Sequence, residues 1–346
     1  QVAWLSSSLT TKKKREMLAL ISSGTAAVVV GTHALFQEGV EFDKLALSIT
    51  DEQHRFGVQQ RLQLTRKTND ESVYPHQLTM TATPIPRTLA MSMYAHLDYS
   101  VIDELPPGRK PIITVAIPEQ RRAEVIERIN VSCQQGAQAY WVCSLIEESE
   151  SLQSRAASET YDLLKNQMPE LNIGLLHGKM KSAEKELVMQ KFIQNKIHVL
   201  VATTVIEVGV DVTNASLMII ENAERFGLAQ LHQLRGRVGR GDKQSSCVLM
   251  YKNPLTNNAR KRLDALRTIS DGFELARIDL ELRGPGEVMG TKQSGDTHMR
   301  IADLTQDLAL LPQVSKAAQW LLKHHPQRIE ILLRRWLGKA VDYVNA

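Results

Sequence analysis

Two adjacent carboxylates, Asp51 and Glu52, follow a run of apolar and β-branched residues at 45–50 that predicts a β-strand. An aspartate at the end of a strand could hold Mg²⁺, and a glutamate beside it could polarise a water molecule for attack on the terminal phosphate of a nucleoside triphosphate. A lone Asp-Glu pair is more often a solvated loop. Thr81 and Thr83, at the end of the next predicted strand, favour the chemical interpretation, because their hydroxyl groups could relay the state of one site to another.

A second group lies at residues 233–240, where glycines separate Gln233, Arg237 and Arg240. Arginine is always charged and its forked guanidinium group matches phosphate oxygens, so two arginines at this spacing suit a clamp on a phosphate that is being transferred. The glycines allow the backbone to approach closely, and Gln233 offers an amide for hydrogen bonding. An arginine- and glycine-rich surface loop is the alternative, but it does not explain the tight spacing.

Several polar residues follow other predicted strands, where parallel sheets usually bind their ligands. Thr203 and Thr204 could contact a strand phosphate together with the backbone turn near Gly209, and Asp211 could accept a hydrogen bond from a ribose hydroxyl. A helix cap made by threonine or aspartate is the alternative. Ordinary turn chemistry competes with a contact to a nucleic-acid backbone at three further residues that follow strands: Thr32, His33 and His177.

Strands and helices alternate along the chain, which predicts an α/β fold with parallel sheets. A segment with three prolines and a glycine at 104–111 can continue neither element and predicts a linker. The expected organisation is residues 1–104, the linker 105–111, residues 112–258 and a mostly helical region 259–346. The predicted strands lie at 26–30, 45–50, 78–81, 112–117, 139–145, 173–176, 198–203 and 217–220, and the predicted helices at 11–22, 119–134, 154–167 and 182–194.

The first three predicted strands are expected to be buried. In the strand that ends before the Asp51–Glu52 pair, this expectation places two hydroxyl-bearing residues, Ser48 and Thr50, inside the protein. Each hydroxyl group would then need a hydrogen-bond partner, and the sequence names none.

The composition of the 346-residue chain is that of an ordinary globular protein, with 43% hydrophobic and 23% charged residues, which excludes wholesale disorder and a collagen-like structure. No run approaches the roughly 18 apolar residues that a membrane helix needs. Three cysteines without C-x-x-C spacing argue against a disulfide framework or a cysteine zinc site and favour a reducing cytoplasm. The ten histidines include no H-x-x-x-H pattern that would indicate a metal site.

Positive charge is concentrated in one part of the chain. The net charge of the whole chain is only +4, whereas residues 225–262 hold nine Lys and Arg against one acid, Asp242, which gives 9 − 1 = +8. Such a run is commonly a solvated face, but it also suits a polyanionic partner such as nucleic acid.

The sequence contains no G-x-x-x-x-G-K-[ST] segment, which cradles the phosphates in nucleoside triphosphatases of this architecture. The nearest fragment, Gly178-Lys179-Met180, has neither the upstream glycine nor the hydroxyl-bearing residue. We therefore expect these 346 residues alone to show no ATP hydrolysis above background. Because the chain begins with glutamine, we also expect it to be a piece of a longer polypeptide.

The motifs taken together resemble motifs II, III and VI of superfamily 2 helicases, at residues 51–58, 79–87 and 233–241. They are most similar to the RecG family, bacterial ATP-dependent helicases that remodel stalled replication forks and branched recombination intermediates. Further matches lie at 31–38, 139–142 and 282–287. The resemblance runs essentially from end to end and covers the back half of the family's chain, after the phosphate loop and the N-terminal wedge domain.

The resemblance implies two RecA-like parallel-sheet lobes, the first incomplete, followed by a helical C-terminal translocation hairpin. It implies that Asp51 holds Mg²⁺ and that Glu52 is the catalytic carboxylate in hydrolysis of ATP. Arg237 and Arg240 would be arginine fingers that reach from the second lobe, with Gln233 beside them. The predicted linker would be the hinge between the lobes.

The same resemblance implies how hydrolysis is connected to DNA. Thr81 and Thr83 would couple hydrolysis to strand movement, and Arg283 and Gln293 would belong to the family's translocation motif. The implied partner is branched DNA, including forks and Holliday junctions, and binding should weaken steeply with salt. We expect a monomer in the bacterial cytoplasm, without a membrane partner.

Two other interpretations stay open. Transcription-repair coupling translocases share the translocation motif, but they typically have an acid where this chain has Gln53. A non-enzymatic interpretation follows from the missing phosphate loop, in which the chain binds DNA weakly and hydrolyses nothing. The length of the native polypeptide would separate these interpretations.

Overall fold

The computed structural model of the protein describes residues 1–7, 9–37, 39–52, 75–81, 98, 100–104, 106, 108–143, 150–203, 212–283 and 310–337. The chain forms two compact units. The first comprises residues 1–82 and 333–346, and the second comprises residues 83–332.

The first unit contains two pairs of parallel strands. Its elements in chain order are β1 (Val2–Leu5), α1 (Thr11–Ser22), β2 (Val28–Gly31), a 3-10 turn (His33–Phe36), β3 (Leu47–Thr50) and β4 (His76–Thr79). β1 pairs with β2, and β3 pairs with β4. Helix α1 ends where the sequence predicts, because Gly24 adopts the left-handed conformation (φ 70°) that closes a helix at little steric cost.

The core of the first unit lies on one face of the β1–β2 pair. Ala3 and Leu5 of β1 are fully buried and belong to the same cluster as Ile21 of α1. The alternate residues Val2 and Trp4 are 67% and 51% exposed. This alternation is the two-residue period of a strand with one covered face.

The prediction that the first three strands are buried is wrong for β2, β3 and β4, none of which has a fully buried residue. In β3, Leu47 and Ile49 are 51% and 58% exposed, and Ser48 and Thr50 on the other face are half-buried. Among the described residues, β3 has a single strand partner, β4. The face of β3 that carries Leu47 and Ile49 is left exposed. The hydroxyl groups therefore do not lie in the two-sided core that the apolar run suggested.

The second unit is built on a six-stranded, wholly parallel sheet of order β5-β10-β9-β6-β8-β7. Its elements in chain order are β5 (Ile113–Pro118), α2 (Arg122–Gln134), β6 (Gln138–Val142), α3 (Glu150–Gln167), β7 (Ile173–Leu176), α4 (Ser182–Ile193), β8 (Val199–Ala202), β9 (Ala215–Ile220), α5 (Leu228–Arg235) and β10 (Ser246–Tyr251). This arrangement confirms the predicted α/β class with helices flanking a parallel sheet.

Helices cover both faces of this sheet, so its central strands β6, β8 and β9 are mostly apolar and buried. One core packs α2 and α3 against the sheet, with Trp141 and Leu164 fully buried. The opposite core packs α4 and α5 together with two helices that follow β10, and it buries Tyr140 and Phe192. The rings of Tyr140 and Phe192 lie 4.9 Å apart in a tilted arrangement.

The described residues after β10 are mostly helical, as predicted. It contains α6 (Asn257–Thr268), α7 (Gly272–Arg283), α8 (Leu311–His324) and α9 (Ile329–Leu337). The side chain of Thr256 caps α6 by accepting a hydrogen bond from the backbone N–H of Ala259 at 3.2 Å. Within the described residues, no helix is both long and apolar enough to span a membrane.

Candidate nucleotide and nucleic-acid site

Asp51 and Glu52 lie directly after β3, as the sequence predicts. Oδ1 of Asp51 accepts a hydrogen bond from the backbone N–H of Glu52 at 2.9 Å. Glu52 has φ 52°, in the left-handed region that a non-glycine residue rarely adopts. Strain of this kind is concentrated at functional sites, and here it turns the chain at the residue for which the motif predicts a catalytic role.

The geometry of Asp51 fits a magnesium ligand. Its side chain is exposed, and the described hydrogen bond to it uses one carboxylate oxygen. Mg²⁺ prefers carboxylate oxygens and commonly takes only one or two from the protein, with nucleotide phosphates and water completing the shell. When bound, the ion would neutralise charge on the phosphates.

Thr81 lies at the same edge of the first unit as the two carboxylates. β3 and β4 are parallel with Thr50 opposite Thr79, and the backbone N–H of Met80 donates to the carbonyl of Thr50 at 2.8 Å. The structure thus brings Thr81, two residues past the end of β4, to the edge that carries Asp51. Thr83 lies outside the described residues.

Thr32 and His33 are exposed directly after β2. The backbone N–H of Thr32 donates to the carbonyl of Leu5 at 3.2 Å, which continues the β1–β2 ladder by one residue. Gly31 is required here, because a Cβ at this position would lie 2.3 Å from the carbonyl oxygen of Leu5. Nearby, Lys14 Nζ donates to Gln37 Oε1 at 3.1 Å and joins the start of α1 to this turn.

Helix α5 presents the Gln233–Arg240 segment of the second unit. Leu228, Leu231 and Leu234 are fully buried, which fixes the helix on the sheet. Gln233 is half-buried near its end, Arg237 is half-buried just beyond it, and Arg240 is exposed. The segment is therefore a helix end followed by a glycine-containing turn, and not merely a surface loop.

The run of positive charge at 225–262 is not one exposed patch. Arg235 is 6% exposed, and two other members are bonded to backbone carbonyls of the protein itself. Arg262 Nη2 donates to the carbonyl of Glu224 at 2.8 Å, and Lys243 Nζ donates to the carbonyl of Gly136 at 2.9 Å. These cations satisfy backbone carbonyls, so the net charge of the run overstates what a polyanion can contact.

Arg235 is a residue whose role the sequence analysis missed. Its guanidinium group donates to the carbonyls of Leu266 and Ile269, both at 2.8 Å, and of Ser270 at 3.4 Å. These carbonyls lie at the end of α6 and in the turn to α7, so Arg235 joins α5 to both helices. The helical period could have revealed the burial, because Arg235 follows Leu228 by seven residues on the apolar face.

His232 supports Arg235 from the same helix. The Nη2 atom of Arg235 and Nδ1 of His232 lie 3.0 Å apart. Burial, with a contribution from the positive charge of Arg235, lowers the pKa of His232 to about 4. The imidazole is therefore neutral at pH 7 and accepts the hydrogen bond from the guanidinium group.

A buried carboxylate at the carboxyl edge of the sheet was also missed. Glu221 follows β9, accepts a hydrogen bond from Trp141 Nε1 at 2.7 Å and forms an ion pair with Arg122. Burial raises the pKa of Glu221. These contacts fasten β6, β9 and the start of α2 to one another, which is a structural function.

His177 and Thr203 follow the adjacent strands β7 and β8. Leu176 lies opposite Ala202, and the backbone N–H of Thr203 donates to the carbonyl of Leu176 at 3.2 Å, so the two residues lie at one edge. Nδ1 of His177 and Oγ1 of Thr203 are both buried and find no hydrogen-bond partner among the described residues. A buried polar atom without a partner costs about 1–3 kcal/mol, so a polar ligand atom here would be stabilising.

Five further predicted residues lie wholly or partly outside the described residues. Arg283 is the last residue of α7, and its side chain is outside the described part of the structure. Four others lie outside the described residues altogether: Thr204, Gly209, Asp211 and Gln293. Asp51 and Glu52 belong to the first unit, whereas Gln233, Arg237 and Arg240 belong to the second.

Comparison with known proteins first defines a class. The family model for the helicase conserved C-terminal domain matches residues 120–242. The fold is similar to that of the helicase Lhr of Mycobacterium smegmatis, solved with ssDNA and AMP-PNP, at 19% identity and a TM-score of 0.53 over 72% of this chain and 34% of Lhr. The six-stranded sheet and its flanking helices are thus a helicase fold.

More specific matches follow. The family model for ATP-dependent DNA helicase RecG, domain 3, C-terminal, matches residues 269–335. ATP-dependent DNA helicase RecG of Escherichia coli (strain K12) is 56% identical over 100% of this chain and 50% of its own length, and RecG of Haemophilus influenzae gives the same identity and coverage. RecG bound to a three-way DNA junction matches with a TM-score of 0.66 and 42% identity over 90% of this chain and 39% of that one.

The chain corresponds to the C-terminal half of RecG, which confirms the resemblance drawn from its motifs. It spans about half the length of the curated relatives that it matches.

Proposed function

We propose that the chain supplies the motor portion of an ATP-dependent DNA helicase, which remodels stalled forks and branch-migrates Holliday junctions. The observation that carries the proposal is the 56% identity to RecG over the whole chain. The positions of Asp51, Glu52 and Arg237 support it, because each follows a strand or helix end in its own unit. We take residues 1–104 and 112–258 as parts of two RecA-like lobes joined by the linker 105–111, with 259–346 as the translocation region.

In this proposal the nucleotide is ATP with Mg²⁺. Asp51 would hold the ion, which would neutralise phosphate charge when bound, and Glu52 would orient and deprotonate the attacking water. Arg237 and Arg240, with Gln233, would contact the phosphates from the second unit, and Gly209 and Asp211 would bind the nucleotide. Closure of two lobes around ATP would bring these groups together, and hydrolysis would release them.

DNA contacts are proposed at the strand ends of both units. Thr32 and His33 are exposed in the first unit and would contact the DNA backbone. Thr81 and Thr83 would couple ATP hydrolysis to strand movement. In the second unit, the unsatisfied atoms of His177 and Thr203 support a contact to the DNA backbone, in which Thr204 would share. We propose branched DNA as the substrate and a monomer as the active form.

Arg235 supports a mechanical role for the helices that follow β10. It ties the helix before Arg237 to the turn between α6 and α7, and α7 ends at Arg283. A shift of the Arg237 segment during ATP hydrolysis would therefore move α7 as well. Arg283 and Gln293 would transmit that movement to duplex DNA.

Release of inorganic phosphate on forked DNA, measured for this chain and for the full-length polypeptide, tests the proposal. We expect fork-stimulated hydrolysis and fork unwinding by the full-length polypeptide, and hydrolysis at background by the 346-residue chain, which has no phosphate loop. The same rate with and without DNA for the full-length polypeptide would contradict a helicase motor.

A further inference from the structure

The carboxyl end of the predicted linker is bonded to the segment that carries Arg237 and Arg240. Arg109 Nη2 donates to the carbonyl of Gly236 at 3.4 Å, and Lys110 Nζ donates to the carbonyl of Asp242 at 2.7 Å. The two acceptors flank the arginines on either side. A third bond runs in the opposite direction, because the side chain of Gln244 donates to the carbonyl of Pro111 at 2.7 Å.

The backbone of the arginine segment is also packed too closely to shift freely. Gly239 has φ 79°, and a Cβ there would lie 3.0 Å from the side chain of Ile112. A Cβ at Gly241 would lie 2.3 Å from the carbonyl oxygen of Thr213, on the turn that precedes β9. The segment is therefore held between the linker on one side and this turn on the other.

From these contacts we infer that Arg109 and Lys110 are positioning residues for Arg237 and Arg240, an inference that rests on the proposed function. Their donors hold the carbonyls on both sides of the arginine segment, so they set its path where the transferred phosphate would lie. A rigid support of this kind matters because misplacement of a catalytic group by about 1 Å can cost on the order of 100-fold in rate.

The contacts also divide the linker physically. Residues 109–112 belong with the arginine segment through four contacts, whereas Gly108, with φ 81°, lies just before them and has open space around its α-carbon. The backbone N–H of Arg109 donates to the carbonyl of Pro106 at 3.2 Å across Gly108, so a change of direction at Gly108 would break this turn bond but none of the four contacts. The segment from Arg109 onward thus moves together with the arginines.

The test uses the full-length polypeptide carrying Arg109→Gln and Lys110→Met together, with DNA-stimulated ATP hydrolysis as the readout. We expect kcat to fall roughly tenfold with KM for ATP and affinity for forked DNA unchanged within about twofold, since the lost support acts in the transition state. The exchange variant Arg109→Lys with Lys110→Arg keeps both donors and should recover most of the rate. Lys196→Met, at an exposed lysine with no described side-chain bond, is the matched control.

A double-mutant cycle separates positioning from simple loss of structure. In a background that carries Arg237→Ala and Arg240→Ala, the linker variants should lower the residual rate by less than twofold, because they act through the residues already removed. An unchanged kcat in the linker variants, an equal further loss in the Arg237→Ala, Arg240→Ala background, or a raised KM that indicates direct ATP binding would each overturn the inference. Absence of DNA-stimulated hydrolysis in the unmodified polypeptide would instead refute the proposed function.

Discussion

Replacement of Arg235 with alanine removes the donor that joins α5 to the end of α6. Arg235 is 6% exposed, and its guanidinium group donates to two carbonyls at 2.8 Å and a third at 3.4 Å. The bond to Leu266 is buried and the bonds to Ile269 and Ser270 are partly buried, and a buried carbonyl left without a donor costs about 1–3 kcal/mol. Removing the buried charge recovers some desolvation energy, because burial already lowers the pKa of Arg235. We expect a net loss of about 3 kcal/mol in the free energy of unfolding, near the lower end for breaking a buried charged contact.

The assay is thermal and urea unfolding of the 346-residue chain. A loss of this size corresponds to a lowering of Tm by roughly 6–12 °C for a unit of about 250 residues. The matched control is Arg260→Ala, at an exposed arginine on α6, which should change stability by less than about 0.5 kcal/mol. Arg235→Lys keeps the charge but loses the fork, and it should lie between the two. Equal stabilities for Arg235→Ala and Arg260→Ala would refute the assigned role.

Three further predictions concern pH, translocation and backbone packing. Because the folded pKa of His232 is about 4 and its ordinary value is 6.5, the unfolded state binds more protons between these pH values. The free energy of unfolding should therefore fall by up to about 3 kcal/mol as the pH drops from 6.5 to 4. Urea midpoints for His232→Gln should show a flatter pH dependence, and an unchanged slope would contradict the pKa shift. Arg283→Ala in the full-length polypeptide should leave the rate of ATP hydrolysis within about twofold of that of the unmodified polypeptide but stop branch migration in a gel assay. Continued unwinding of forks by this variant would contradict the translocation role of Arg283. Gly31→Ala should lower the free energy of unfolding in urea by about 1–3 kcal/mol, because its Cβ would collide with the carbonyl of Leu5. The control Gly178→Ala should leave stability nearly unchanged, because a Cβ at Gly178 would meet open space. Equal losses of stability in the two variants would contradict the close packing at Gly31.

The parts of the fold with strong local patterns were predictable. β7 lies at Ile173–Leu176, the predicted bounds, and α1 lies at Thr11–Ser22, also as predicted. The predicted strand at 78–81 is instead His76–Thr79, because hydrogen bonds to β3 set its bounds and not its own composition. Two strands, β1 and β10, were missed. β10 mixes serine and cysteine with apolar residues, which weakens its strand pattern.

The candidate site was predictable as a set of motifs but not as a set of contacts. The positions of Asp51 and Glu52 after a strand follow from the sequence, whereas the left-handed backbone of Glu52 does not. Arg235 has the same residue type as Arg237 and lies two positions away, yet it is buried against carbonyls 31 to 35 residues further along the chain. Such contacts depend on how α6 packs, which no local pattern specifies.

The proposed function requires that the carboxylates Asp51 and Glu52 and the arginines Arg237 and Arg240 act on one ATP molecule. The most direct measurement is phosphate release on forked DNA by full-length polypeptides carrying Glu52→Gln or Arg237→Ala, each compared with its affinity for the same DNA. The account predicts that either substitution lowers hydrolysis at least about 100-fold and leaves DNA affinity within about twofold. Hydrolysis close to that of the unmodified polypeptide in either variant, or parallel loss of DNA binding, would contradict it.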